Sequence, residues 1–172
     1  MKHSNTPQIN FDRLRRIDEH CFDIRIATDG RWFHEGDEIR RIEIVKLFAS
    51  VLMRDQTGDY WLVTPFEKGR ITVDDAPFIV CEMLCSSGAD PRSNEIHFRT
   101  NLDDNITLDA AHPILLRPAD DVRDFRPYVE VRDGLLAKLS RPVYYELAQH
   151  AEKGPGGRLG VWSQKQHFAL EL

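Results

Sequence analysis

The chain has 172 residues, 41% of them hydrophobic, with 23 Lys and Arg against 28 Asp and Glu and a net charge of −5. That length fits one compact domain or two small ones sharing a core. The acidic balance excludes general nucleic-acid binding, which needs a positive field. No apolar run reaches the ~20 residues of a membrane-crossing helix, and no apolar leader opens the chain, so the reading is a cytoplasmic protein.

Residues 1–8 are polar. Asn10 is placed to cap a short helix with Phe11, Leu14, Ile17 and Cys21 on one face and Arg13, Arg15 and Arg16 facing outward. Residues 22–28 alternate as a strand, Phe22, Ile24 and Ile26 against Asp23 and Arg25, and Asp29-Gly30 turns the chain. Trp32 and Phe33 precede a polar loop, His34-Glu35-Gly36-Asp37. A helix is predicted over 40–54, with Ile44, Leu47, Phe48 and Val51 as its buried stripe and Ile42, Val45 and Leu52 widening it. Strands follow at 60–64, 70–74 and 78–85, with Pro65 breaking the first run.

Residues 86–94 (SSGADPRSN) read as a linker. A strand at 95–100, a polar turn and a returning strand at 106–109 come next, and 114–116 continue as apolar. Residues 118–127 are charged and loop-like. A strand at 128–132 is ended by Asp133-Gly134, and a loop leads to Ser140. Ser140 caps a helix through His150, with Pro142 tolerated in its first turn and Val143, Leu147 and Ala151 on its buried side. Gly154-Pro155-Gly156-Gly157 stops it, and 158–163 with 167–170 form a closing hairpin. Cys21, Cys81 and Cys85 read as reduced core thiols. On one strand Cys81 and Cys85 lie on the order of 13 Å apart, beyond disulfide reach.

Two phrases repeat. ITVDDAPFIV (71–80) is echoed by ITLDAAHPILL (106–116), with His112 as an extra residue that a turn or bulge must absorb. More loosely, strand, Asp29-Gly30, Arg41, helix with Leu47 and YWLVT are matched by strand, Asp133-Gly134, Arg141, helix with Leu147 and LGVWS. A repeated unit buries its apolar face against its twin. The expected fold class is therefore α+β: two small subdomains, 11–86 and 95–172, with repeated strand-helix-strand motifs around antiparallel strand pairs, roll-like overall.

Taken in order, DGRWFHEG (29–36), IVKLFASVL (44–52), YWLVTPFEKGRITVDDAPF (60–78), FRTNLDDNITLDAAHP (98–113), YVEVRDGLLAKLSRPVYYEL (128–147) and LGVWS (159–163) resemble the domain-of-unknown-function 1285 family of bacterial proteins. The resemblance covers the chain from about residue 11 onward. It implies an α+β fold with repeated motifs in two parts and a suggested role in signal transduction. The family has no established activity and so no catalytic residues to carry over.

Trp32 with His34 sets an aromatic beside a titratable imidazole. Glu67 and Lys68, between two strands, are placed to line a cleft with them. Arg41 and Arg141 stand at helix starts, where the positive dipole end disfavours a cation. That points to an anionic ligand or, more simply, an internal ion pair. Asp74, Asp75 and Asp109 match no calcium-loop spacing; His34, His97 and His112 lack zinc-ligand spacing. No metal or cofactor is expected. The leading expectation is a non-enzymatic binding module for a protein or small-molecule partner, using a cleft near Trp32, His34, Glu67 and Lys68. The alternatives are a small enzyme with acid–base chemistry at His34 and Glu67, and a structural subunit that pairs through an exposed sheet edge.

Overall fold

The structure is a computed structural model that describes residues 19–86, 88–118 and 125–171. Among the described residues strands far outweigh helices. The first half runs β1 (Glu19–Ile26), β2 (Trp32–His34), β3 (Asp37–Glu38), α1 (Ile42–Ser50), β4 (Leu52–Arg54), β5 (Tyr60–Val63) and β6 (Lys68–Val73). These strands make one six-stranded sheet in the order β3-β2-β1-β6-β5-β4, with β1 and β6 parallel and the other pairs antiparallel. The second half runs β7 (Phe78–Ser86), β8 (Glu95–Thr100), β9 (Asn105–Thr107), β10 (Ile114–Pro118), β11 (Phe125–Arg132), β12 (Leu135–Leu139) and α2 (Arg141–Gln149). Its six-stranded sheet has the order β10-β11-β12-β7-β8-β9, with β12 and β7 parallel. A third sheet holds β13 (Glu152–Lys153), β14 (Leu159–Ser163) and β15 (Gln166–Ala169).

Both six-stranded sheets are curled, and chain reach shows why. β9 and β10 are consecutive in sequence yet sit at opposite edges of their sheet. A flat sheet of that width spans about 24 Å between its outer strands, at ~4.8 Å per neighbour. The link from Thr107 to Ile114 reaches about 24 Å only if fully extended. It is not extended: Asp109 to His112 double back, with His112 N–H donating to the Asp109 carbonyl at 3.2 Å. The sheet must therefore bring its edges towards each other. In the first sheet β3 and β4 are likewise consecutive and at opposite edges, joined through α1. The turn at Asp109–His112 is also where the extra residue of the second phrase lands. The Asp109 carboxylate accepts the Ala111 and His112 amides, and His112 Nδ1 meets the Glu130 carbonyl at 3.0 Å.

One apolar core joins the two halves: Ile24 and Ile26 of β1, Val45 of α1, Phe78 and Val80 of β7, Phe98 of β8, Leu147 of α2 and Val161 of β14 belong to a single packed cluster. The polar loop expected at His34–Asp37 is instead a two-residue hairpin joining β2 to β3. Glu35 (φ 50°) and Gly36 (φ 85°) both take the left-handed conformation that a tight, strand-twist-compatible turn requires.

Several expectations are corrected. The helix predicted over 40–54 is α1 alone; β4 follows it, because Leu52–Arg54 pair with Tyr60–Leu62 of β5. Leu47, placed in the buried stripe, is 64% exposed, while Val45 and Ala49 face the core. The loop expected before Ser140 is β12, buried along nearly its whole length. Ser140 does occupy the cap position of α2, though its side chain makes no capping bond. The linker expected at 86–94 joins two strands of one sheet, since β7 pairs with both β8 and β12. Each helix follows a hairpin and precedes three short antiparallel strands, but β4-β5-β6 join the sheet of β1 and β13-β14-β15 form a sheet of their own. Cys21 and Cys81 are exposed rather than core residues, whereas Cys85 is half-buried and packs against the core. Cys21 lies in β1, not on a helix face; the rest of the predicted N-terminal helix lies outside the described residues.

Candidate functional site

The described surface has a groove of about 370 Å³ where the β1–β2 turn, the start of α1 and the β8–β9 turn meet. Trp32, Ile39, Ile42, Val45 and Leu102 supply its apolar side. Asp29, Arg31, Glu38, Arg40 and Asn101 supply its polar side. Its size lies within the usual range for small-ligand sites.

The sequence builds this groove locally. Asp29 holds the β1–β2 turn by accepting the Arg31 amide at 3.2 Å and the Arg31 Nε at 2.7 Å. Arg31 also reaches Glu38 at 3.6 Å and lies over the Phe33 ring. Asn101 is clipped to β7 through both ends: its backbone N–H donates to the Ile79 carbonyl at 2.8 Å, and its Oδ1 accepts the Ile79 amide at 2.9 Å. Gly30 fits because it has no side chain. A Cβ there would stand 2.8 Å from Ile79 and 2.9 Å from Asn101, so only glycine lets the two halves press together at this point. Trp32 is 1% exposed, stacks on Phe48 of α1, and keeps its indole N–H buried without an acceptor among the described residues.

Of the residues expected to form a site, only Trp32 lines this groove. His34 is exposed at the hairpin end. It sits beside Ile24 on β1, whereas Lys68 sits beside Glu19. Five residues along β1 separate them, on the order of 12–16 Å once the bulge between Cys21 and Arg25 is allowed for. Glu67 adjoins Lys68 in the Thr64–Glu67 turn, where Thr64 N–H donates to the Glu67 carbonyl at 2.9 Å. The register therefore keeps His34 away from Glu67 and Lys68. Lys68 Nζ lies 3.9 Å from the Trp61 ring centre. Arg41 caps α1 with its backbone and Arg141 opens α2; both side chains are exposed, and among the described residues neither has an ion-pair partner.

The carboxylates weighed for a cation each have their own employment. Asp74 pairs with Arg25, Asp75 with Lys138, and Asp109 holds its turn. His34 lies in the first sheet, and His97 and His112 bond separately to Thr107 and the Glu130 carbonyl. Among the described residues no three such side chains gather as a metal site.

A second buried polar cluster lies elsewhere. Asp75, on the crossover from β6 to β7, accepts the Tyr128 hydroxyl at 2.6 Å and Lys138 Nζ at 2.7 Å. Lys138 Nζ also donates to the Thr28 carbonyl at 2.7 Å. Tyr128 and Lys138 are direct partners across β11 and β12, so they share one face. Burial and the bond to Asp75 push the Tyr128 hydroxyl up to about 12. Burial opposes ionisation of Asp75, but bonds from Lys138 and Tyr128 hold its carboxyl below the usual range. The phenol is thus held neutral and the carboxylate charged, an arrangement that clamps rather than transfers protons near neutral pH. Sequence reading reached Asp75 only as a cation ligand. Lys138 and Tyr128 are distant in sequence, and no local signal joins them.

The chain matches two family models end to end: the N-terminal domain of the DUF1285 domain of unknown function over residues 17–76, and the C-terminal domain of the DUF1285 protein of unknown function over residues 77–170. The chain belongs to the DUF1285 family. Its structure is similar to that of a DUF1285 family protein from Silicibacter pomeroyi DSS-3, with a TM-score of 0.81 and 35% identity, covering 90% of this chain and 81% of that one. A DUF1285 family protein from Shewanella baltica OS155 is also similar, with a TM-score of 0.57 and 28% identity over 74% of this chain and 91% of that one. No curated protein matches the chain. The two models meet between Ala76 and Pro77, so the Asp75 clamp ties one family domain to the other.

Proposed function

We infer that this protein is a non-enzymatic binding module whose ligand or partner segment enters the groove beside Trp32. One observation supports the reading above others: an apolar wall of Trp32, Ile39 and Val45 faces a rim of charged groups already fixed by one another. A site of that composition binds an apolar body and orients it with a few polar contacts. The groove spans both family domains, through Asn101 and Leu102 on one side and residues 29–45 on the other. Occupancy would therefore be felt by both, which suits the signalling role implied by the family resemblance. His34 and Glu67 stand on separate turns and do not form the acid–base pair that an enzyme reading would need.

Native mass spectrometry of the protein purified from its own host tests the reading. Ile42 lines the groove and is 44% exposed, so Ile42→Trp fills the mouth without entering the core. A retained molecule or peptide that is present on the unsubstituted protein and missing from Ile42→Trp supports the groove. Equal retention by both, or by neither, sinks it.

A further inference from the structure

β10 is an outer strand of the second sheet, and its free side can be read from the hydrogen-bond phase. Glu130 N–H donates to the Pro113 carbonyl at 3.2 Å. Bonded and unbonded pairs alternate in an antiparallel ladder. Leu115 with Tyr128 and Arg117 with Arg126 are therefore bonded pairs, and Ile114 with Val129 and Leu116 with Pro127 are not. Pro127, which lacks an N–H, falls where none is required, which agrees with this phase. The N–H and C=O groups of Ile114 and Leu116 consequently point off the sheet, and no backbone bond reaches them among the described residues.

Edges are ordinarily protected by being short or by carrying lysine, proline or a bulge. Here β3 and β13 have two residues, β4 and β9 three, and β15 four. β10 has five, and its bonding stretch is Ile114-Leu115-Leu116, with Leu115 37% exposed. Its cation and proline, Arg117 and Pro118, lie beyond that stretch.

We propose that the β10 edge is an interface for a second copy of this chain, paired antiparallel about a twofold axis through Leu115. In that register Ile114 of one copy bonds the partner's Leu116 and the reverse, so every outward group of the two residues is used. The two Leu115 side chains meet, and each Arg117 faces the partner's Pro113 rather than its own twin. Charge thus permits this register. A closed twofold contact also uses up the edge and cannot propagate into a fibre. The two sheets become one continuous sheet of twelve strands, six from each copy.

Sedimentation over a concentration series tests the interface. Mass should rise from 19.9 kDa towards twice that value. Leu116→Pro removes an outward N–H that β11 does not use, so the variant should stay folded by circular dichroism yet dimerise at least ~10-fold more weakly. In a background with Cys21, Cys81 and Cys85 changed to Ser, Leu115→Cys should cross-link on oxidation, because an unbonded pair sets its Cα atoms about 4.5 Å apart. Leu116→Cys should cross-link far less. A protein that stays monomeric at ~0.5 mM, or a Leu116→Pro variant that dimerises undiminished, overturns the proposal. So does a monomer that captures an added strand-forming peptide of unrelated sequence while failing to pair with its own copy, which would assign the edge to a foreign strand.

Discussion

Replacing Asp75 with asparagine removes the central charge of the clamp at nearly constant shape. In the native protein the carboxylate takes the Tyr128 hydroxyl at 2.6 Å and Lys138 Nζ at 2.7 Å, and its side chain is only 10% exposed. Asparagine keeps one acceptor for Tyr128 but turns an amide donor or an uncharged oxygen towards the Lys138 ammonium. The Lys138 side chain is itself only 23% exposed, and its ammonium keeps the Thr28 carbonyl. Breaking a fully buried pair by removing one partner costs about 3–5 kcal/mol; a hydrogen bond to a charged group is worth about 1.5–3 kcal/mol. For this half-buried site the expectation is about 2–4 kcal/mol, a fall in Tm of roughly 5–12 °C for a chain of this size. Urea and thermal unfolding should be run on Asp75→Asn, Lys138→Met and the double variant. Coupling in the cycle should exceed about 1 kcal/mol. Ultraviolet titration supplies a second readout: the tyrosine that ionises near 12 in the native protein should ionise lower in Asp75→Asn, because the neighbouring negative charge that helps hold it up is gone. A loss under about 0.5 kcal/mol with additive single effects would refute the clamp.

Leu47 and Leu147, matched in the loose repeat, should behave oppositely. Leu47→Ala, at a position 64% exposed, should change stability by less than about 0.5 kcal/mol. Leu147→Ala, fully buried, should cost about 2–5 kcal/mol by urea denaturation; similar losses at both would mean α1 is packed otherwise. Burial disfavours the Asp55 carboxylate, yet bonds from Thr57, Trp61 Nε1 and the Asp59 amide bring it down to about 2 from 3.8. A depressed folded value means that stability is present above the unfolded value and is lost as pH falls from about 4 through 2. The slope of stability against pH in that window should flatten in Asp55→Asn, and an unchanged slope would count against the network.

Turn chemistry and strand alternation could be read along the chain because both are local. Asp133-Gly134 makes a tight hairpin, with φ of 45° and 76°. The 95–100 strand is β8, and the extra His112 falls in a turn. The family, too, was legible in the order of its motifs. Partnership was not legible, for a physical reason. Leu135–Leu139 show no alternation because β12 is covered on both faces by elements far away in sequence, so its pattern resembles neither an exposed strand nor a helix. Leu47 follows the helical period of Ile44 and Phe48, but the surface α1 rests on is narrower than its apolar stripe. Trp32 announced itself by size and hydrophobicity; Asn101 and Arg40 joined its groove only through turns that the sheets bring together. The sequence by itself determined the tight turns at Asp29-Gly30 and Asp133-Gly134, the alternating strands such as β8, and which kin the chain has. The curl of two sheets, set by strands pairing across long loops, decided which side chains meet. Side-chain period is carried by neighbours a few residues apart, whereas contact between residue 75 and residues 128 and 138 exists only once the whole chain has closed.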